Sequence, residues 1–214
     1  MNRVDSSYRT VAERLEESVN IHKTLAKSYV ITIVEIAECI ITAYKVGGKV
    51  ILFGNGGSAA DAQHLACELV GRFELNRRAL PAIALSTDPS ILTALANDYG
   101  YEAVFSRQLE ALVSEKDVVI GISTSGNSPN VVNALKLARE KGAQTVALAG
   151  CNGGKIAQVA DLALTVPSSS TPRIQEAHTT IGHIVCELVE KELACPEVGA
   201  APVRVGWFRA ESRS

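Results

Sequence analysis

The sequence predicts an α/β three-layer sandwich, a central parallel sheet flanked by helices, with further helices at the N-terminus. Short continuous apolar runs alternate with stretches of helical spacing, which is how strands buried on both faces read. The chain has 214 residues, 47% hydrophobic and 21% charged, enough for one sizeable core. Two polar, glycine- and serine-rich loops directly follow apolar runs, where folds of this class bind ligands.

Helical periodicity covers about 6–46. Val11, Leu15, Val19 and 21–25 mark one helix. Val30 to Ala43 marks a second: its isoleucines would suit a strand, but the length favours a helix, stopped by Gly47-Gly48. KVILFG (49–54) reads as a strand and SAADAQHLACELVGRF (58–73) as a helix. LPAIALS (80–86) is the next strand, then SILTALAND (90–98) and EAVFSRQLEALVS (102–114) are helices. DVVIGIS (117–123) is a strand, PNVVNALKLAREKG (129–142) a helix and QTVALAG (144–150) a strand. A short helix near IAQVA (156–160), a strand DLALTVP (161–167) and a long helix over 173–193 complete the order. Residues 1–48 therefore form N-terminal helices, 49–194 the sheet domain, and 195–214, without a clear period, a loosely packed extension.

The net charge of −2 gives no reason to expect nucleic acid or a membrane surface as partner. The N-terminal stretch is polar and no run reaches the roughly 18 apolar residues of a membrane span. Cys39, Cys67, Cys151, Cys186 and Cys195 are odd in number and show no CxxC spacing. They read as reduced thiols, mostly core packing, in a cytoplasmic protein.

Gly54, Gly56 and Ala59 match GxGxxA, the dinucleotide fingerprint. The acidic residue expected about 20 positions on, at the end of the next strand, is misplaced: Glu74 precedes LPAIALS. Asn55, Gly56 and Gly57 also permit close backbone approach to another polar ligand. Ser58 and Asp61 form an S-x-x-D capping signature, so a helix is expected to begin there, with His64 and Glu68 one turn apart on one face. STSGNS (123–128) places Ser123, Thr124, Ser125 and Ser128 directly after a strand. Ser128 and Pro129 suit the N-cap and first position of a helix, making an anion cradle fit for a phosphate without lysine. The last helix carries Gln175, Glu176, His178, His183, Cys186 and Glu187. On a helical wheel Glu176 is nearly in line with His183, while Gln175 sits about 80° away. His178 reads as a partly buried packing residue. HLACE (64–68) nearly recurs as HIVCE (183–187). Imidazoles and carboxylates beside a phosphate cradle suit a divalent metal or paired acid–base chemistry on a phosphorylated substrate.

GNGGSAADAQHLACELVGRF, LPAIALSTD, ILTALANDYGYEAVFSRQLEAL, GISTSGNS and RIQEAHTTIGHIVCELVE together resemble the phosphoheptose isomerases of the sugar-isomerase (SIS) domain family. The resemblance covers about 49–193 and implies a flavodoxin-like or Rossmann-like SIS domain. It implies conversion of sedoheptulose 7-phosphate to D-glycero-D-manno-heptose 7-phosphate through an enediol, the first step towards ADP-heptose or GDP-heptose. It also implies one Zn2+ per subunit, held by His64, Glu68, Gln175 and His183, and a homotetramer with shared active sites. Asn55, Gly56, Gly57, Asn97 and Asp98 would line the sugar site with Glu68 and Gln175; Ser123, Thr124, Ser125 and Ser128 would bind the phosphate. Glu68 is then the base and His183 its acid–base partner. On that reading the family takes Gln175 where the wheel prefers Glu176, and Cys67, Cys186 and Glu187 are bystanders. Rival readings are isomerisation of another sugar phosphate and a non-catalytic adaptor such as the replication initiator-associating proteins. The adaptor lacks the counterparts of Glu68 and His183, both present here.

Overall fold

The computed structural model describes residues 3–194; the extension expected over 195–214 lies outside them. Helices α1 (Arg3–Ser28) and α2 (Val30–Lys45) come first. In α2, Ile33, Ile36, Ala37, Ile40, Ile41 and Tyr44 are buried, the one-faced spacing of a helix laid on a core. The sheet follows: β1 (Val50–Gly54), β2 (Ala82–Ala84), β3 (Val118–Ser123), β4 (Gln144–Ala149) and β5 (Leu162–Thr165). All neighbours pair in parallel, in the order β2-β1-β3-β4-β5. Between them run α3 (Gly57–Val70), α4 (Pro89–Tyr99), α5 (Ser106–Leu112), α6 (Pro129–Glu140) and α7 (Ile156–Val159), and α8 (Thr171–Leu193) closes the order.

Two cores sandwich the sheet, and the period-2 alternation of each strand feeds both. Val50 and Leu52 join α2, α3 and α8 on one face. Ile51 and Phe53 join α5 and α6 on the other. Each such fully buried side chain contributes roughly 1.5–3 kcal/mol relative to exposure. The helix after β1 thus lies on one face and the helix after β3 on the other, while β1 and β3 pair directly. The crevice between their carboxyl ends is the topological switch point, where open α/β sheets bind ligands.

Local expectations differ from the structure in four places. The segment 102–114 is not one helix: a short 3-10 turn (Tyr101–Ala103) precedes α5. The break lets Val104 and Phe105 both enter the second core, where Phe105 stacks on Phe53 with ring centroids 5.1 Å apart. The strand expected over 80–86 shrinks to Ala82–Ala84 at the sheet edge. The capping box at Ser58 does not form: α3 starts at Gly57 with Gly56 (φ 56°) as N-cap and no side-chain cap bond. Ser58 is instead buried against Gly54, and Asp61 accepts a hydrogen bond from Thr179 on α8. The thiols are also less buried than composition suggests. Cys186 is buried and Cys39 half-buried, but Cys67 and Cys151 are exposed, all four free; Cys195 lies outside the described residues. Among the described residues no helix is long and apolar enough to cross a membrane.

Candidate active site

Two close approaches without side chains in the way bring α3 and α8 together on one face of the sheet. A Cβ on Gly182 would lie 2.4 Å from Leu65 Cδ2, so any side chain here would have to displace Leu65. The next residues along are His64 and His183, and their Nε2 atoms stand 2.7 Å apart. Glu68 Oε1 lies 3.7 Å from His64 Nε2. The cleft is open to water on the His64 side and closes towards Glu68, whose side chain is only 20% exposed. A second approach sits one loop away: a Cβ on Gly57 would lie 2.3 Å from Gln175 Nε2, so the Gln175 amide lies across the start of α3.

Glu176, the wheel's preference, faces elsewhere. It accepts a hydrogen bond from Ser18 on α1 and pairs with Arg173. The wheel ranks residues by alignment with His183 alone, whereas the room beside α3 lies at Gly57, against which Gln175 packs. His178 is more than partly buried, at 1% exposure. Its Nε2–H donates to the Ala149 carbonyl at 3.0 Å, and burial holds its pKa below the ordinary histidine value. It is therefore a neutral core residue, not a ligand.

The loop after β3 carries the other candidate residues. Ser123 Oγ is 3.0 Å from Ser128 Oγ and 3.4 Å from Ser125 Oγ. Ser128 is the N-cap residue of α6, yet its hydroxyl makes no cap bond. Its hydroxyl faces the serines of the loop instead, beside a helix N-terminus that attracts anions. Gly126 (φ 68°) packs onto the backbone of Gly153, a contact that any Cβ would break. Thr124 follows β3 directly, and its carbonyl abuts Gly150.

Asn55 joins the two loops. Its amide exchanges two 2.9 Å hydrogen bonds with Asn130, and its Oδ1 also accepts from Tyr101 at 3.0 Å. Gly56 and Gly57 beside it are exposed. Asn97 and Asp98 end α4, exposed and hydrogen-bonded to each other at 2.8 Å. Tyr101, which the sequence reading passed over, is the residue of that segment that touches the β1 loop. A tyrosine just after a helix-ending glycine, facing an asparagine loop, was the available signal.

Also unforeseen is the support beneath the cleft. Glu190 on α8 is buried and accepts backbone N–H groups of Phe73 (2.9 Å), Glu74 (2.6 Å) and Leu75 (2.7 Å). The Arg77 guanidinium lies 2.9 Å from it. Burial alone would raise the Glu190 carboxyl, but those N–H groups and Arg77 outweigh it and hold the pKa below the ordinary glutamate range. His64, Glu68 and His183 approach one another in pairs, but among the described residues no three His, Cys, Asp or Glu side chains form a metal-holding group.

Against known proteins, the family model for the SIS domain matches residues 15–150. Phosphoheptose isomerase of Aquifex aeolicus is 58% identical over 185 residues, 86% of this chain and 96% of that one. That of Citrifermentans bemidjiense is 66% identical over 154 residues, 72% of this chain and 80% of that one. The chain belongs to the phosphoheptose isomerases of the SIS-domain family. Among solved structures, the phosphoheptose isomerase of Neisseria gonorrhoeae superposes with a TM-score of 0.82 at 43% identity, covering 86% of this chain and 98% of that one. The family model ends at residue 150, before α8, so the isomerase relatives, not the domain match, reach Gln175 and His183.

Proposed function

We propose that this chain converts sedoheptulose 7-phosphate to D-glycero-D-manno-heptose 7-phosphate at the cleft between α3 and α8. The observation that carries the reading is the 2.7 Å approach of His64 and His183 beside Glu68, in the helix layer that α3 and α8 form on one face of the sheet. Ser123, Thr124, Ser125 and Ser128 hold the phosphate, which fixes the far end of the sugar chain. Asn55, Gly56 and Gly57 with Asn97 and Asp98 border the sugar. Glu68 takes a proton from C1, and the freed electron pair forms the C1–C2 double bond. His183 gives a proton to the C2 carbonyl oxygen, and the enediol results. Glu68 then returns its proton to C2 while His183 takes the proton from the C1 oxygen, leaving the aldehyde.

The donor set fits zinc. The two imidazole Nε2 atoms face each other at 2.7 Å, a hydrogen-bonding distance at which one ring donates its proton to the other, and holding an ion through bonds of about 2.0–2.1 Å would require them to part. His64, His183, Glu68 and Gln175 would hold the ion, nitrogen and oxygen donors of the kinds zinc takes. Bound there it supplies Lewis-acid polarisation of the substrate carbonyl.

We assign the active form as a homotetramer, working in the cytoplasm as the free thiols favour. Tyr8, Val11, Leu15 and Val19 form an exposed apolar stripe along α1. Beside it, an apolar groove of about 470 Å³ is lined by Leu25, Val30, Ile33, Ile184 and Leu188. Surface of this kind is covered by association. The test is an isomerase assay on sedoheptulose 7-phosphate with and without added zinc, with product NMR and light scattering on the same sample. Zinc-dependent aldose formation by a tetramer is the expected result. A folded, zinc-replete sample that leaves the ketose unchanged would overturn the assignment.

A further inference from the structure

The residues that do the proposed chemistry are tied together from below by a strap that no part of that chemistry uses. Residues 71–79 run from the end of α3 towards β2, and within the strap Arg77 is nearly fully buried, its side chain 2% exposed. Its Nη2 donates to the carbonyl of Glu68 at 2.8 Å and its Nη1 to that of Leu69 at 2.9 Å. Arg77 thus satisfies the last carbonyls of α3, those of the turn that carries Glu68. Glu190, seven residues after His183 and so on the same side of α8, binds Arg77 and the three N–H groups of the strap. That cradle fixes Phe73, whose ring lies 5.5 Å from the His183 ring at a 40° tilt. The chain of contacts closes: Glu68 backbone, Arg77, Glu190, Phe73, His183.

Tying down a surface strap needs no buried ion pair, since apolar contacts hold loops at less cost in desolvation. What the pair adds is direction. It holds one ring against His183. His183 also meets the His64 ring edge-on, with ring centroids 5.0 Å apart. Without Phe73 the imidazole has free space on that flank and can turn about its side-chain bonds.

We propose that Phe73 is a positioning residue of the isomerase, held by Glu190 and Arg77 so that its ring orients His183. The inference rests on the function proposed above. Supporting shells of this kind typically change metal affinity or activity by about 10–100-fold when removed. The test compares Phe73→Leu, which keeps apolar bulk without a ring, with Phe73→Tyr, which keeps the ring. Three quantities are read in each: kcat and KM on sedoheptulose 7-phosphate, the zinc dissociation constant by chelator competition, and Tm. The leucine variant is expected to lose about 10-fold in kcat with little change in KM, and to bind zinc about 10-fold more weakly. Its Tm stays near wild type, and the tyrosine variant recovers both losses. Wild-type kcat and zinc affinity in a folded leucine variant would overturn the inference, as would equal losses in both variants. Should the leucine variant not fold, Phe73→Met is judged by the same outcomes. A wild-type protein that neither isomerises the ketose nor binds zinc overturns the underlying function, and the inference falls with it.

Discussion

HLACE on α3 and HIVCE on α8 spell His, Cys and Glu at the same offsets, and the two helices face each other, yet only the histidines share a fate. His64 and His183 meet at 2.7 Å. Cys67 is exposed, whereas Cys186 is buried and burial pushes its thiol up to about 12. Glu68 turns into the cleft, while Glu187 turns outward to Lys191, one turn along its own helix. The difference shows that spacing places residues on a face, but the neighbour decides what the face becomes. Leu65 and Gly182 set the contact, and the residues around them inherit their surroundings from it.

The largest contrast should lie between the two glutamates. Glu68→Gln removes the proposed base and is expected to lower turnover by about 10²–10⁴-fold, the usual worth of a general base. Glu187→Gln alters an exposed pair and should leave turnover within experimental scatter. Parallel assays with matched circular dichroism check both; equal activities in the two variants would remove Glu68 from the mechanism.

Next comes the contact that sets the comparison. Gly182→Ala drives a methyl into the Leu65 side chain, 2.4 Å away, and should cost about 1–3 kcal/mol as α3 and α8 part. For a chain of this size that is a Tm loss of very roughly 2–12 °C. Activity should fall further than stability alone explains, since His64 and His183 separate together. Thermal melts and assays below the melt distinguish the two losses.

A smaller effect concerns how the far ends of these helices are held. Glu190 is depressed by the strap N–H groups and Arg77 against the opposing effect of burial. Asp117, before β3, is likewise depressed, by Lys49 and the N–H groups of Ser114 and Lys49 overcoming burial. A depressed carboxyl contributes stability that is present above its unfolded pKa, about 4, and lost as pH falls through its lower folded value. Denaturant melts from pH 7 to 3 should therefore show stability falling mainly below about pH 4–5. In Glu190→Gln that acid-side slope should flatten, leaving the Asp117 share. An unchanged slope would mean that the cradle gains nothing from the charge.

The sheet was legible because its central strands β1, β3 and β4 are covered on both faces and so read as unbroken apolar runs; β2, half-buried at the edge, was read too long. The candidate polar residues were legible as types at spacings. What was not legible was orientation across elements. Glu176 looked better aligned with His183 than Gln175 because a wheel knows nothing of Gly57, whose missing side chain gives Gln175 its place. Ser58 looked like a cap because the motif ignores Gly54, against which Ser58 is buried. Glu190 and Arg77 are 113 positions apart, and no local pattern pairs a carboxylate with three backbone N–H groups of a distant strap.

The smallest expected effect bears on the shared cysteine. If the repeated spelling reflected two half-sites for one metal, both thiols would matter, because thiolate is a strong zinc donor. Their surroundings argue otherwise. Cys186 is packed among the apolar residues of the first core, and burial lifts its thiol to about 12. Cys67 is exposed on the α3 surface. Cys67→Ala should leave zinc content and turnover at wild-type levels. Cys186→Ala should keep its zinc while losing some stability, because a buried sulfur leaves a small void. Metal analysis of the purified variants decides: zinc lost from either would make that thiol a ligand, and the matched spelling would then have to be read as function rather than coincidence.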